Sequence, residues 1–201
     1  MKLYYSPGAC SLAPHIVLRE AGLDCALAEV DLASKQVKGG GDFRQVNPKG
    51  AVPALVLDDG QVLTEVTAIL QYLADRNPGA KLAPASGAAR YRLLEWLSYI
   101  ATELHKSFWP LFNLKLPESA KPLFLEALAT RFDYLANEVA GRSFLLGAEY
   151  GIADAYLYTV LTWARHVGID LARWPALKDY MKRVRARPAV EAALKAEGLL
   201  K

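Results

Sequence analysis

Apolar positions change their period several times within the first eighty residues. "KLYYS" (2–6) is a short strand candidate, after which Leu12, Ala13, Ile16, Val17 and Leu18 recur at helical spacing up to Gly22, a C-terminal stop signal. "ALAEVDL" (26–32) alternates apolar with polar at its end, as a half-buried strand does. The polar stretch 34–50, with glycines at 39, 40 and 41, predicts a loop holding at most a short helix. "ALVLDDGQVL" (54–63) sets two apolar runs around Asp-Asp-Gly, a hairpin signal because Asp-Gly tolerates the positive φ of tight turns. Ile69, Leu70, Tyr72 and Leu73 then share a helical face within 64–76. The predicted order, βαβ-α-ββα, gives a two-layer α/β domain on a small mixed sheet, since the parallel pair needs a crossover and the last two strands form a hairpin.

Residues 77–88, "NPGAKLAPASGA", combine prolines and glycines with few large apolar side chains and read as a linker. From Ala89 onward strand signals cease. Leu93, Leu94, Leu97, Ile100, Ala101 and Leu104 outline an amphipathic helix, and further helices are expected over 118–140, 152–167, 175–187 and 189–197. The expected organisation is an α/β domain over 1–77, a linker over 78–88 and an all-helical domain over 89–201.

Composition narrows the function. Of 201 residues 53% are hydrophobic, which suits a soluble globular protein rather than a disordered one. The formal charge of +3 comes from well-spread residues, and the basic run Lys178–Arg187 reads as a solvated helix face, so no nucleic-acid partner is expected. No apolar stretch predicts a signal peptide or a membrane span. Cys10 and Cys25 fit neither a disulfide framework nor C-x-x-C nor a zinc site, which points to a reducing cytoplasm and to no bound metal. Neither nucleotide-loop signature occurs.

Three stretches could carry chemistry. In "YYSPGACSLAPH" (4–15), Pro14 forces a helix start near Cys10 or Ser11, placing the thiol at the positive end of a helix, a position that favours a thiolate. Packing as a small apolar residue is the other reading of Cys10, and position alone leaves both open. Cys25, His15 and His166 read as structural. In "NPKGAVPAL" (47–55), Val52 must be extended because a proline follows; a cis Val52-Pro53 bond would turn the Val52 backbone outward, although trans is the commoner state. In "LTEVTAIL" (63–70), Thr64 is a candidate cap for a helix whose first turn holds Glu65, Val66 and Thr67, a place suited to a carboxylate and an ammonium.

In this order, the stretches "MKLYYSPGACSL", "VNPKGAVPAL", "LTEVTAILQYLAD", "WLSYIATELHK", "IADAYLY" and "RPAVEAALKAEGLLK" resemble the cytosolic glutathione transferases along the whole chain, most closely the bacterial beta class. The resemblance implies a thioredoxin-like N-terminal domain binding glutathione, an all-α C-terminal domain, and a cytoplasmic homodimer. By this analogy Val52 offers its backbone to the cysteinyl part of glutathione, Pro53 is cis, Glu65 and the Val66 N–H hold the γ-glutamyl end, and Lys35 lies near the glycyl carboxylate. Cys10, in reach of a mixed disulfide with glutathione, and His105 are the catalytic candidates; Ser98, Thr102 and Glu103 line the site, some from the partner subunit. Phe108, Phe112 and Trp163 are candidates for a site taking small hydrophobic electrophiles. Three positions depart from the family pattern: Val66 brings bulk and no hydroxyl, Ser98 reaches less far than the usual Asn, and Gly151 replaces the Ser or Thr of a capping box. The implied activities are detoxifying conjugation and thiol exchange or peroxide reduction; the alternative is a low-turnover binding or interaction protein on the same fold.

Overall fold

Strand β1 (Lys2–Tyr5) pairs in parallel with β2 (Ala26–Glu29) and antiparallel with β3 (Ala54–Val56), which pairs antiparallel with β4 (Val62–Thr64), giving the order β2-β1-β3-β4. The mixed sheet follows from the connections in this computed structural model, which describes residues 1–200. Helix α1 (Leu12–Glu20) makes the crossover between the parallel strands. The Asp-Asp-Gly turn joins β3 to β4, with Gly60 at φ +84° and the Asp59 carboxylate accepting the Gln61 N–H at 3.0 Å. Helix α2 (Val66–Arg76) follows β4.

Strand alternation separates two apolar layers. Tyr4, Ala28 and Ala54 lie in register and pack with Val30, Phe43 and Val52, the Tyr4 and Phe43 ring centroids being 5.4 Å apart. Helix α1 is buried continuously from Leu12 to Leu18, beyond the single apolar face that its spacing predicts, because α2 and helix α8 (Pro188–Ala196) both pack on it. The Arg187 guanidinium fixes α8 there by donating to both oxygens of Glu20 at 2.6 and 2.9 Å.

Two compact units result: Met1–Ala83 with the segment from Arg187 onward, and Pro84–Ala186. The first boundary falls between Ala83 and Pro84. The last helix, placed by its sequence in the helical domain, joins the first unit instead, through an ion pair between residues 167 positions apart that no local pattern signals.

The second unit contains α3 (Gly87–Tyr99), a π-helical turn (Ile100–His105), α4 (Lys106–Phe112), α5 (Lys121–Val139), α6 (Ile152–Leu161) and α7 (Pro175–Arg185). Pro122 and Pro175 sit in first turns, where the missing N–H costs nothing. Buried on every side, α6 is fixed at its start by Asp154, whose carboxylate accepts the N–H groups of Gly151 and Leu145, both at 2.9 Å, and the Tyr180 hydroxyl at 2.7 Å. Asp154 therefore makes its half of the capping box although Gly151 has no side chain to return the bond. Among the described residues no helix is long and apolar enough to cross a membrane.

Candidate functional site

The loop carrying Cys10 is held from both sides. Ser11 Oγ accepts the Ser6 N–H at 3.1 Å and donates to the Ser6 carbonyl at 3.3 Å. From below, the Gly8 N–H donates to Glu197 at 2.9 Å, the other Glu197 oxygen meets His15 Nδ1 at 2.7 Å, and Arg19 Nε donates to His15 Nε2 at 3.1 Å. Because Nε2 accepts, the His15 proton sits on Nδ1 and points to Glu197. The His15 and Glu197 side chains are 2% and 0% exposed, so this carboxylate is buried and satisfied on both oxygens. Gly8 has φ +71°, and a Cβ there would meet Leu199 at 3.5 Å, so the C-terminal segment packs against the backbone of the cysteine loop.

Cys10 does not occupy the helix start. Helix α1 begins at Leu12 with Ser11 as its cap residue, leaving Cys10 in the preceding turn, where its Sγ donates to the Val52 carbonyl at 3.2 Å. Loss of solvent pushes the thiol up to about 12; the N–H groups of Cys10 and Ser11 pull the other way by less, and the charge of Glu65 raises it further. Of the two readings left open by position, desolvation of this half-buried thiol, which outweighs two backbone donors, favours the packed, hydrogen-bonded one. Cys25 is half-buried, with its Sγ directed at the Ala26 carbonyl at 3.4 Å.

Asn47 shapes the segment that presents Val52. Buried at 3% exposure, it donates through Nδ2 to the Ala51 carbonyl at 2.7 Å and accepts the Lys49 N–H at 3.2 Å. Such Asn side chains replace missing backbone partners in an irregular loop. The Val52-Pro53 bond is cis, and β3 starts immediately after it. Gly50, at φ +61°, passes so close to Lys35 that an added Cβ would lie 3.6 Å from the Lys35 Cδ and Cε atoms, which places this lysine stem along the same loop.

Pairing of Ala54 with Thr64 brings the start of α2 beside Pro53. Thr64 ends β4 and does not cap the helix; Glu65 is the cap residue, at φ +71°, with its carboxylate making no capping bond. A non-glycine residue at positive φ is unusual and marks a constrained site. The Glu65 carboxylate instead accepts Lys49 Nζ, which also donates to Thr64 Oγ1 at 2.8 Å. Val66, the first residue of α2, is buried at 6% exposure. Cys10, Lys35, Val52, Pro53, Glu65 and Val66 therefore converge on one rim of the first unit.

The remaining candidates lie in the second unit. His105 ends the π-helical turn, and its Nδ1 is 2.7 Å from the Tyr156 hydroxyl, with the ring edge-on to Trp163 at 4.9 Å. Wide turns of this kind are frequent at functional sites. Thr102 donates to the Ser98 carbonyl at 3.1 Å and Glu103 pairs with Arg131 at 2.8 Å, a partner not foreseen. Phe108 is fully buried against Phe112, Phe132 and Trp163, and Trp163 is 7% exposed; Phe112 is 44% exposed. Sequence reasoning also passed over Ser11, Asn47, Lys49 and Glu197. The Asn-Pro-x-Gly turn could have flagged Asn47, whereas Glu197 carries no local signal. Among the described residues no cluster of three or more His, Cys, Asp or Glu side chains could hold a metal ion.

Comparison with known proteins adds a family context. Residues 8–76 match the family described as "Glutathione S-transferase, N-terminal domain", and residues 96–188 its "C-terminal domain". Glutathione S-transferase GstA of Escherichia coli O157:H7 is 50% identical over 200 residues, covering 99% of this chain and 100% of the relative. A sphingomonad glutathione S-transferase solved in complex with glutathione superposes with a TM-score of 0.96 at 52% identity, covering 100% of both chains. A beta-class glutathione S-transferase from Sphingomonas chungbukensis does so with a TM-score of 0.96 at 49% identity, again covering 100% of both.

Proposed function

The chain belongs to the glutathione S-transferase family, and on that premise we propose that it conjugates glutathione to small hydrophobic electrophiles in the cytoplasm, acting as a homodimer in detoxification. The observation that carries the reading is the bond from Cys10 to the Val52 carbonyl, which joins the thiol to a backbone acceptor beside a cis proline, a lysine stem and an acidic helix start. An anionic tripeptide finds there an ammonium for its glycyl carboxylate at Lys35, a backbone acceptor for its cysteinyl N–H at Val52, and Glu65 with the Val66 N–H for its γ-glutamyl end. When the cysteinyl N–H takes the Val52 carbonyl, the Cys10 S–H loses its acceptor and turns to the glutathione sulfur.

A thiol donor at that sulfur stabilises the glutathione thiolate, which attacks an electrophilic carbon, forms the C–S bond and expels the leaving group with its electron pair. Within the second unit, we assign the aromatic cluster of Phe108, Phe112 and Trp163 to binding small hydrophobic compounds, Phe112 being its exposed member. Within the same unit, we assign His105, oriented by Tyr156, with Ser98, Thr102 and Glu103, as ligand-contact candidates. Homodimer formation has support in the half-exposed Tyr134 and exposed Tyr91, on α5 and α3, with Tyr134 stacked on Trp96.

The hydrogen bond that the Cys10 thiol donates to Val52, with its raised pKa, favours conjugation over thiol exchange, in which the Cys10 thiolate would attack a disulfide sulfur and release one thiolate. Replacing Cys10 by Ala separates the two. Conjugation of an activated aryl halide is expected to fall by roughly 10- to 150-fold, the size of one hydrogen bond to a charged group. A loss of disulfide reduction with conjugation retained assigns exchange to Cys10; unchanged disulfide reduction removes Cys10 as a nucleophile. Failure of millimolar glutathione to bind in calorimetry sinks the transferase reading in favour of a low-turnover binding protein.

A further inference from the structure

Lys49 has no role in the mechanism above, yet its ammonium sits on the two residues that immediately precede α2. Its Nζ donates to Thr64 Oγ1 at 2.8 Å and to the carboxylate of Glu65, which at φ +71° makes no bond to the helix it opens. The Lys49 and Glu65 side chains are 51% and 70% exposed, so the pair can open without exposing buried charge. Two charges that a zwitterionic ligand needs are therefore already paired with each other, beside a helix start that has no side-chain acceptor.

Taking the glutathione reading as given, we propose that Lys49 is a specificity-determining residue that exchanges partners on binding. The ligand's α-ammonium takes the Glu65 carboxylate, and the released Lys49 ammonium takes the α-carboxylate arriving beside α2. Four charges then form two neutral pairs. A ligand with the ammonium alone displaces Lys49 and leaves it unpaired, and one with the carboxylate alone must share Lys49 with Glu65. Lys49 thus couples the two ends of the amino-acid group and selects peptides with a free zwitterionic terminus over those lacking either charge.

The test is a cycle between protein and ligand by titration calorimetry. Wild type, Lys49→Met and Lys49→Arg are each titrated with glutathione and with its analogue lacking the α-carboxyl group but keeping the ammonium. The ratio of the two dissociation constants is expected to fall by about 1.5- to fivefold in Lys49→Met, the range for one exposed ion pair, and to return toward wild type in Lys49→Arg. Equal ratios in wild type and Lys49→Met, with glutathione binding intact in both, overturn the exchange while leaving the glutathione reading in place. No heat with either ligand in wild type overturns that reading and this inference with it. Thermal melting of each variant identifies any loss of fold, and Lys49→Arg keeps the cycle decisive if Lys49→Met melts early.

Discussion

Iodoacetamide is expected to alkylate Cys10 at pH 7.5 about 10³-fold more slowly than an unperturbed thiol of pKa about 9. Desolvation pushes this thiol up to about 12, so each pH unit below that value removes another factor of ten in thiolate. The rate should climb about tenfold per pH unit through pH 10, read by peptide mass spectrometry at Cys10. A plateau below pH 9 would contradict the protonated thiol and restore the thiolate reading. The sign for stability is fixed by the same shift. A thiol whose pKa is raised on folding favours the fold below its unfolded pKa near 9, and that contribution is lost as pH rises from about 9 through 12. Tyr180, held well above its usual value of 10 by burial and by the charge of Asp154, adds to the alkaline loss.

Asp154→Ala is expected to destabilise the protein by about 3–5 kcal/mol, lowering the melting temperature by roughly 6–20 °C. Asp154 is 1% exposed and is the acceptor for the Gly151 N–H, the Leu145 N–H and the Tyr180 hydroxyl. Truncation leaves three buried donors without this partner, each costing about 1–3 kcal/mol, less whatever local relaxation recovers. Tyr180→Phe, which removes one donor and leaves the carboxylate its two N–H groups, should cost less, about 1.5–3 kcal/mol. Differential scanning calorimetry of both variants checks the ordering. Equal losses would place the effect in the packing of Tyr180 rather than in the carboxylate.

Legibility followed the range of the interaction. The Asp-Asp-Gly hairpin, the proline-started helices and the helix–strand order are written in periods of a few residues, and the sheet and its mixed pairing followed from them. The site was legible where a family pattern supplied order, as in the cis Val52-Pro53 bond, which residue types alone would have left trans. What escaped was set by tertiary geometry. Cys10 reads as a helix-end thiol because Pro14 marks the first turn, but the helix starts two residues later and desolvation decides the proton. Glu65 reads as a first-turn residue because Thr64 is a good cap, yet strand pairing with Ala54 claims Thr64 and forces Glu65 to positive φ. The return of the chain to α1 through Arg187 and Glu197 depends on partners more than 160 positions away, at Glu20 and His15.

The central claim is that glutathione binds on the rim of the first unit with its sulfur against Cys10. The most direct measurement is site-resolved alkylation at pH 9 in the presence of S-methylglutathione, which can bind but cannot exchange disulfides. Cys25, half-buried and outside the rim, serves as the internal control. Saturable slowing is expected at Cys10, with no change at Cys25. Equal rates at Cys10 with and without the ligand up to millimolar concentration would contradict that claim.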